Sequence, residues 1–214
     1  NTLVITISVS GNTVETLSAL KSAHEKRSKI IAFSSGGKMS EYCKENKIEY
    51  RFVNQYHSPR ASFTSYLYTI LNVLHSTLKI KKQDILESII ELEKINEKIN
   101  SSNLTNTNES LNIAEKISGI PLIYYPFGLE SAAIRFKNVI QENIKIHAIA
   151  EDIVEACHNG IVSWEKESNV NPILIQGKDD YMKTKERWGI IKEYFKENKI
   201  EYIEINSIEG SILS

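Results

Sequence analysis

Short runs rich in isoleucine and valine alternate with segments whose apolar residues recur every three or four positions, and this alternation constrains the fold more than any other feature. Runs of five or six such residues read as strands buried on both faces, the mark of a parallel sheet, and parallel neighbours need helical crossovers between them. Strands are predicted near residues 3–9, 29–34 and 49–53, with helices over about 13–26 and 38–46 between them. The pattern is α/β: one sheet layered by helices.

After Ser58-Pro59-Arg60, the stretch 63–78 places Leu67, Ile70, Leu71, Leu74 and Leu78 on one helical face. Residues 82–100 form a second amphipathic pattern that ends in the polar tract Asn100-Ser101-Ser102-Asn103, where a domain boundary is expected. The rhythm then restarts: helix 109–117, strand 121–125, helix 130–143, a short apolar His147-Ala148-Ile149, strand 172–176, helix 181–198 and strand 201–205. The expected organisation is an N-terminal domain over 1–80, connecting helices over 81–118 and a C-terminal domain over 119–214. At 214 residues the chain can bury a sizeable core without disulfide or metal staples.

Lys and Arg number 26 against 27 Asp and Glu, so the net charge of −1 removes the basic field that nucleic acid or an anionic membrane surface would need. Apolar stretches such as 30–33 and 120–127 fall short of the ~20 residues that span a bilayer, and no export signal opens the chain. The two cysteines, Cys43 and Cys157, lie far apart with no metal-ligand spacing, which points to a reducing cytoplasm. The chain lacks an initiator Met and opens directly on Leu3-Val4-Ile5-Thr6-Ile7, so it reads as the observed part of a longer protein.

The first segment with chemical content is Ser8-Val9-Ser10-Gly11-Asn12-Thr13-Val14-Glu15-Thr16, where a strand gives way to a helix. Helix N-terminal amides are unpaired, the macrodipole favours anions, Gly11 lets backbone approach closely, and hydroxyls complete a phosphate's oxygens. An N-cap by Asn12 or Thr13 would account for the same residues.

The run Ser-x-Ser-Gly-Asn-Thr-x-Glu-Thr, followed about twenty residues later by Ser34-Ser35-Gly36-Gly37-Lys38, resembles the sugar isomerase (SIS) domain family, which binds phosphosugars on a flavodoxin-like parallel sheet. Two further segments narrow the resemblance to the archaeal-type bifunctional phosphoglucose/phosphomannose isomerases: Ser58-Pro59-Arg60-Ala61, and Arg135-Phe136-Lys137-Asn138 with Gln141-Glu142-Asn143-Ile144-Lys145, then His158-Asn159 sixteen residues beyond Glu142. The family usually reads Asn-Glu-Asn around the position of Glu142 and His-Asn-Glu from the position of His158, so Gln141 and Gly160 depart from it.

The resemblance implies two flavodoxin-like SIS domains, each a parallel sheet layered by helices. It implies a phosphate cradle of Ser8, Ser10 and Thr13, Arg60 near the reacting carbons, Glu142 as the proton-transferring base and His158 in ring opening. A Gly-Ser turn before Asn1 and a Lys after Ser214 would complete the site. The implied activity interconverts glucose 6-phosphate, and mannose 6-phosphate, with fructose 6-phosphate through an enediol. No metal or organic cofactor is expected, and the implied partners are the phosphosugar and a second copy in a homodimer that shares active sites.

The chemistry of the residues agrees with those roles. One carboxylate within reach of two adjacent carbons can take a proton from one and return it to the other, an imidazole titrates where ring opening needs it, and a guanidinium can stabilise an enediolate. Arg135 and Lys137 are candidates for steering a phosphorylated ligand or for solvated ion pairs. Trp164 and Trp188 read as packing anchors, and His24, His57, His75 and His147 as ordinary loop or packed residues. A non-catalytic phosphosugar-binding regulatory module would need the serine turn but neither Glu142 nor His158, and an isomerase of another phosphosugar would share the turn.

Overall fold

A computed structural model describes residues 2–208; residues 209–214, the end of the expected second domain, lie outside the described residues. The chain divides into two compact units that part between Ile85 and Leu86.

The first unit is a three-stranded sheet of β1 (Leu3–Ile7), β2 (Lys29–Ser34) and β3 (Glu49–Phe52), in that order and all parallel. The crossovers are α1 (Val14–Glu25) and α2 (Gly37–Glu45). They bury Leu20, Ala23, Met39 and Cys43 against Ile30 and Ala32 on one face of the sheet. A helix, α3 (Phe63–Leu78), follows a 3-10 turn and covers the other face, where Tyr66 packs with Phe33 and Val53.

The helix α4 (Lys82–Ile99) contains the division between the units. The polar tract at Asn100–Asn103 lies downstream of that division. It is a hydrogen-bonded connection inside the second unit, leading to α5 (Glu109–Lys116), because its asparagines satisfy helix-end carbonyls. Asn100 Nδ2 donates to Asn96 O at 2.8 Å and Asn103 Nδ2 to Lys98 O at 2.6 Å. The buried Asn108 accepts from Ser110 N and Leu111 N to cap α5.

The second unit has four parallel strands, β4 (Ile120–Tyr125), β5 (Ile149–Asp152), β6 (Val170–Gln176) and β7 (Ile203–Asn206), in the order β5-β4-β6-β7. Counted from β4 this is 2-1-3-4, the order of a doubly wound sheet. Strand alternation sorts the core into two layers. Ile123, Ile173, Ile175 and Ile203 face α6 (Glu130–Val139). On the other face, Tyr124 and Leu174 pack with Ile153 and Ala156 of α7 (Ile153–Ala156) and with Trp188 and Phe195 of α8 (Met182–Glu197).

Arg27, Lys47, Lys79, Lys145 and Lys199 follow helical segments in left-handed conformation, with φ between 53° and 65°. Glycine is the commonest residue at such helix ends. No helix among the described residues is long and apolar enough to cross a membrane.

Candidate functional site

In the first unit the parallel strands end on one edge, and three turns stand side by side there. Ser35 N donates to Val9 O at 3.0 Å, joining the turns after β1 and β2, and Ser35 Oγ donates to Gln55 Oε1 at 3.2 Å, joining those after β2 and β3. Two glycines let the first pair touch backbone to backbone. A Cβ on Gly11, where φ is +68°, would lie 1.8 Å from Gly36 O, and one on Gly37 would lie 2.4 Å from Ser10 O.

The turn after β1 does not spend its polar side chains on its own helix. Thr13 sits at the N-cap of α1 and forms no side-chain cap bond; its hydroxyl lies 2.9 Å from Ser8 Oγ, which also accepts from Gly11 N at 3.1 Å. Asn12, the other expected cap, turns to the neighbouring turn, where its Oδ1 accepts from Lys38 N at the start of α2. Ser10 Oγ accepts from Asn12 N at 3.2 Å and its side chain is exposed. Ser8, Ser10 and Thr13 are thus gathered in one turn with the amino end of α1 left uncapped, an arrangement suited to an anion.

The corresponding turn after β6 in the second unit is closed by its own carboxylate. Asp180 Oδ2 accepts from Gly177 N at 3.1 Å and from Trp188 Nε1 at 2.8 Å, while Lys178 N donates to Ser207 Oγ at 2.8 Å.

Arg60 is exposed in the turn after β3, where it opens the 3-10 turn Arg60–Ser62. The loop around it is knit by Ser62 Oγ, which donates to Ser58 O at 3.0 Å and accepts from Tyr56 N at 2.9 Å.

Glu142 and His158 belong to the second unit and are both exposed. The α-helical geometry of α6 stops at Val139, short of the expected 130–143, and the chain continues as a π-helical turn over Ile140–Ile144 that carries Glu142. Such a wide turn is rare and recurs at functional sites. Gln141 Nε2 donates to Ala148 O at 3.2 Å, tying this turn to the approach to β5. The Arg135 guanidinium feels the Glu142 carboxylate: burial pushes its pKa down and Glu142 opposes that shift.

His158 follows α7, its N–H bonded to Glu155 O at 3.0 Å. Since α6 and α7 cover opposite faces of the second sheet, the helices leading to Glu142 and His158 lie on opposite sides of it. A Cβ at Gly160 would meet Glu151 Oε2 at 3.1 Å, so a family-like Glu there would crowd an existing carboxyl. Burial holds Glu151 above the usual carboxylate range, and Glu155 and Asp152 add to the effect.

The tie of Asn12 to Lys38 N and the π turn that carries Glu142 are the features near the candidate residues that sequence reasoning missed. Trp188 is fully packed, and Trp164 meets Phe195 edge-on at 5.2 Å, as expected of packing anchors.

Residues 106–214 match the family described as the bacterial phospho-glucose isomerase C-terminal SIS domain. A bifunctional phosphoglucose/phosphomannose isomerase of Caldicellulosiruptor bescii is 30% identical over 206 residues, covering 91% of this chain and 60% of that protein. A D-glucosamine-6-phosphate 4-epimerase of Sulfolobus acidocaldarius is 33% identical over 181 residues, covering 81% and 55%. The chain thus spans somewhat over half the length of these relatives. In fold it is similar to the crystal structure of glucosamine-6-phosphate deaminase from Thermotoga maritima, with a TM-score of 0.69 at 14% identity over 99% of this chain and 62% of that one. With half of its length matched, the chain belongs to the bacterial phospho-glucose isomerase C-terminal SIS domain family.

Proposed function

We propose that this chain is part of an aldose–ketose isomerase that interconverts glucose 6-phosphate, and mannose 6-phosphate, with fructose 6-phosphate. The observation that carries the reading is the turn after β1, which carries Ser8, Ser10 and Thr13, pairs the Ser8 and Thr13 hydroxyls, and leaves neither expected cap residue on the helix behind them. In this reading residues 1–80 and 119–214 are two flavodoxin-like SIS domains joined by 81–118, and the protein works as a cytoplasmic homodimer.

Ser8, Ser10 and Thr13 hold the phosphate. His158 gives a proton to the ring oxygen and accepts one from the adjacent hydroxyl, opening the sugar. Glu142 removes the proton from the carbon beside the carbonyl and returns it to the neighbouring carbon of the enediol, while Arg60 stabilises the negative charge that develops on oxygen. The opposite sheet faces behind Glu142 and His158 support a division of labour in which the histidine serves the neighbouring subunit's site.

A coupled assay on the full-length protein with both aldose phosphates tests this. Glu142→Gln keeps the shape and removes the base, so kcat falls by roughly 10²–10⁴ with KM little changed. Undiminished turnover would remove Glu142 from the mechanism. Ser10→Ala raises KM for the phosphosugar, and an enzyme that shows no preference for phosphorylated over free sugar would refute the cradle.

A second reading, action on another phosphosugar, is favoured by the 33% identity to a protein named D-glucosamine-6-phosphate 4-epimerase. Competition between glucosamine 6-phosphate and fructose 6-phosphate separates the two. A purely regulatory module would bind phosphosugar with no turnover and no effect of Glu142→Gln.

A further inference from the structure

The side chain of Asn12 is exposed, yet both ends of its amide are used. Oδ1 accepts from Lys38 N at 3.1 Å and Nδ2 donates to Ser10 O at 3.1 Å. Around it Met39 N donates to Gly11 O at 2.9 Å and Ser8 N to Phe33 O at 3.1 Å, and the Gly11–Gly36 and Gly37–Ser10 approaches leave no room for a side chain. The residue preceding α2 is Gly36, which has no side chain to cap it, so the helix takes its acceptor from the other turn.

We propose that Asn12 is a positioning residue that clasps the turn after β1 to the turn after β2, so that Ser8, Ser10 and Thr13 meet a phosphate on a frame already fixed by the second turn. The proposal rests on the phosphosugar reading above. Asn12 works through Ser10, whose carbonyl its amide holds and whose hydroxyl its backbone N–H holds at 3.2 Å. Without the side chain, the hydroxyls must be ordered as the ligand binds, and binding weakens by the worth of one or two hydrogen bonds, about tenfold.

Two variants of the full-length protein separate positioning from capping. Asn12→Ala loses both bonds: Kd for inorganic phosphate and KM for fructose 6-phosphate should each rise about tenfold, with kcat within twofold of wild type. Asn12→Asp keeps the acceptor for Lys38 N, so its Tm should fall less than that of Asn12→Ala. It loses the bond to Ser10 and sets a carboxylate beside the phosphate, so its affinity should fall further than that of Asn12→Ala. If Asn12→Asp binds phosphate like wild type, the side chain is only a helix cap and the proposal is overturned.

Hydrogen exchange in the unliganded protein reads the clasp itself. Asn12→Ala should raise exchange in residues 8–13 and 34–38 together, and unchanged exchange overturns the clasp whatever the protein binds. Raised exchange in a protein whose wild type binds no phosphate would instead overturn the functional reading and leave Asn12 a structural residue.

Discussion

Tyr124 gives a stability prediction whose sign reverses an ordinary expectation about hydrogen-bonded tyrosines. Its ring is buried in the layer with Leu174, Trp188 and Phe195, its oxygen accepts from Trp164 Nε1 at 3.1 Å, and its pKa is pushed up to about 12. Burial is the main cause, opposed by the Trp164 bond and reinforced by Glu151 and Cys157. At pH 7 Tyr124→Phe keeps the packing and strands the indole N–H, costing about 1–2 kcal/mol. The raised pKa means that the folded state holds the phenolic proton more tightly than the unfolded state, whose value is about 10. Unfolding therefore releases a proton in the window between about 10 and 12, and the wild type loses stability as pH rises through it. The loss is about 1.4 kcal/mol at pH 11 and approaches about 2.7 kcal/mol above 12. The variant has no such proton, so the wild-type advantage should shrink to near zero at pH 11. Urea denaturation at pH 7 and 11, followed by tryptophan fluorescence, measures this; both tryptophans, Trp164 and Trp188, lie in the second unit, so the signal reports that unit. Taking the difference between the two proteins cancels every other titrating group. An advantage that is equal at both pH values, or larger at pH 11, would refute the argument.

Gly11→Ala should destabilise the first unit by roughly 2–4 kcal/mol, because left-handed strain adds to a Cβ placed 1.8 Å from Gly36 O; a melting curve that matches wild type would contradict the backbone contact. Asp180→Ala should cost about 2–3 kcal/mol in the second unit, since it frees both the Trp188 and Gly177 donors, and a Tm drop below one degree would show those bonds to be idle. If the proposed homodimer shares its active sites, mixing inactive Glu142→Gln and His158→Ala subunits should recover some activity through hybrid dimers, whereas proven hybrids without activity would mean that both residues act from one chain or that one of them is structural.

The periodic signal located β1, β2, β3 and β4 and the long helices to within a few residues; β2 and β4 are apolar runs sunk in the core, whereas β1 and β3 leave Leu3, Ile5, Ile7 and Phe52 exposed and are less buried than their pattern suggested. β5 was visible only as a short apolar His147-Ala148-Ile149, since Glu151 and Asp152 interrupt the run; as an edge strand it tolerates them. The π turn was invisible because widening a helix by one residue leaves its hydrophobic pattern nearly intact over five positions. Among the candidate residues, the types at Ser8, Ser10, Thr13, Glu142 and His158 were legible as chemistry. The choice between anion binding and capping at Asn12 and Thr13 was not: it depends on a second turn, twenty-odd residues away, that needs an acceptor for Lys38 N.

The helix ends carry a consequence for behaviour in brine. Arg27, Lys47, Lys79, Lys145 and Lys199 each accept a left-handed strain of about 1 kcal/mol where glycine would have none. In return each puts a basic residue at the carboxyl end of a helical segment, where a cation is favoured by about 0.3–1 kcal/mol at low ionic strength. At 1 M salt the Debye length falls to about 3 Å and the attraction fades, while the steric strain stays. With charges so nearly balanced along the chain, there is little overall repulsion for salt to relieve. Concentrated chloride should therefore fray these helices from their carboxyl ends, and glycine at the same five positions would make the fold less sensitive to it.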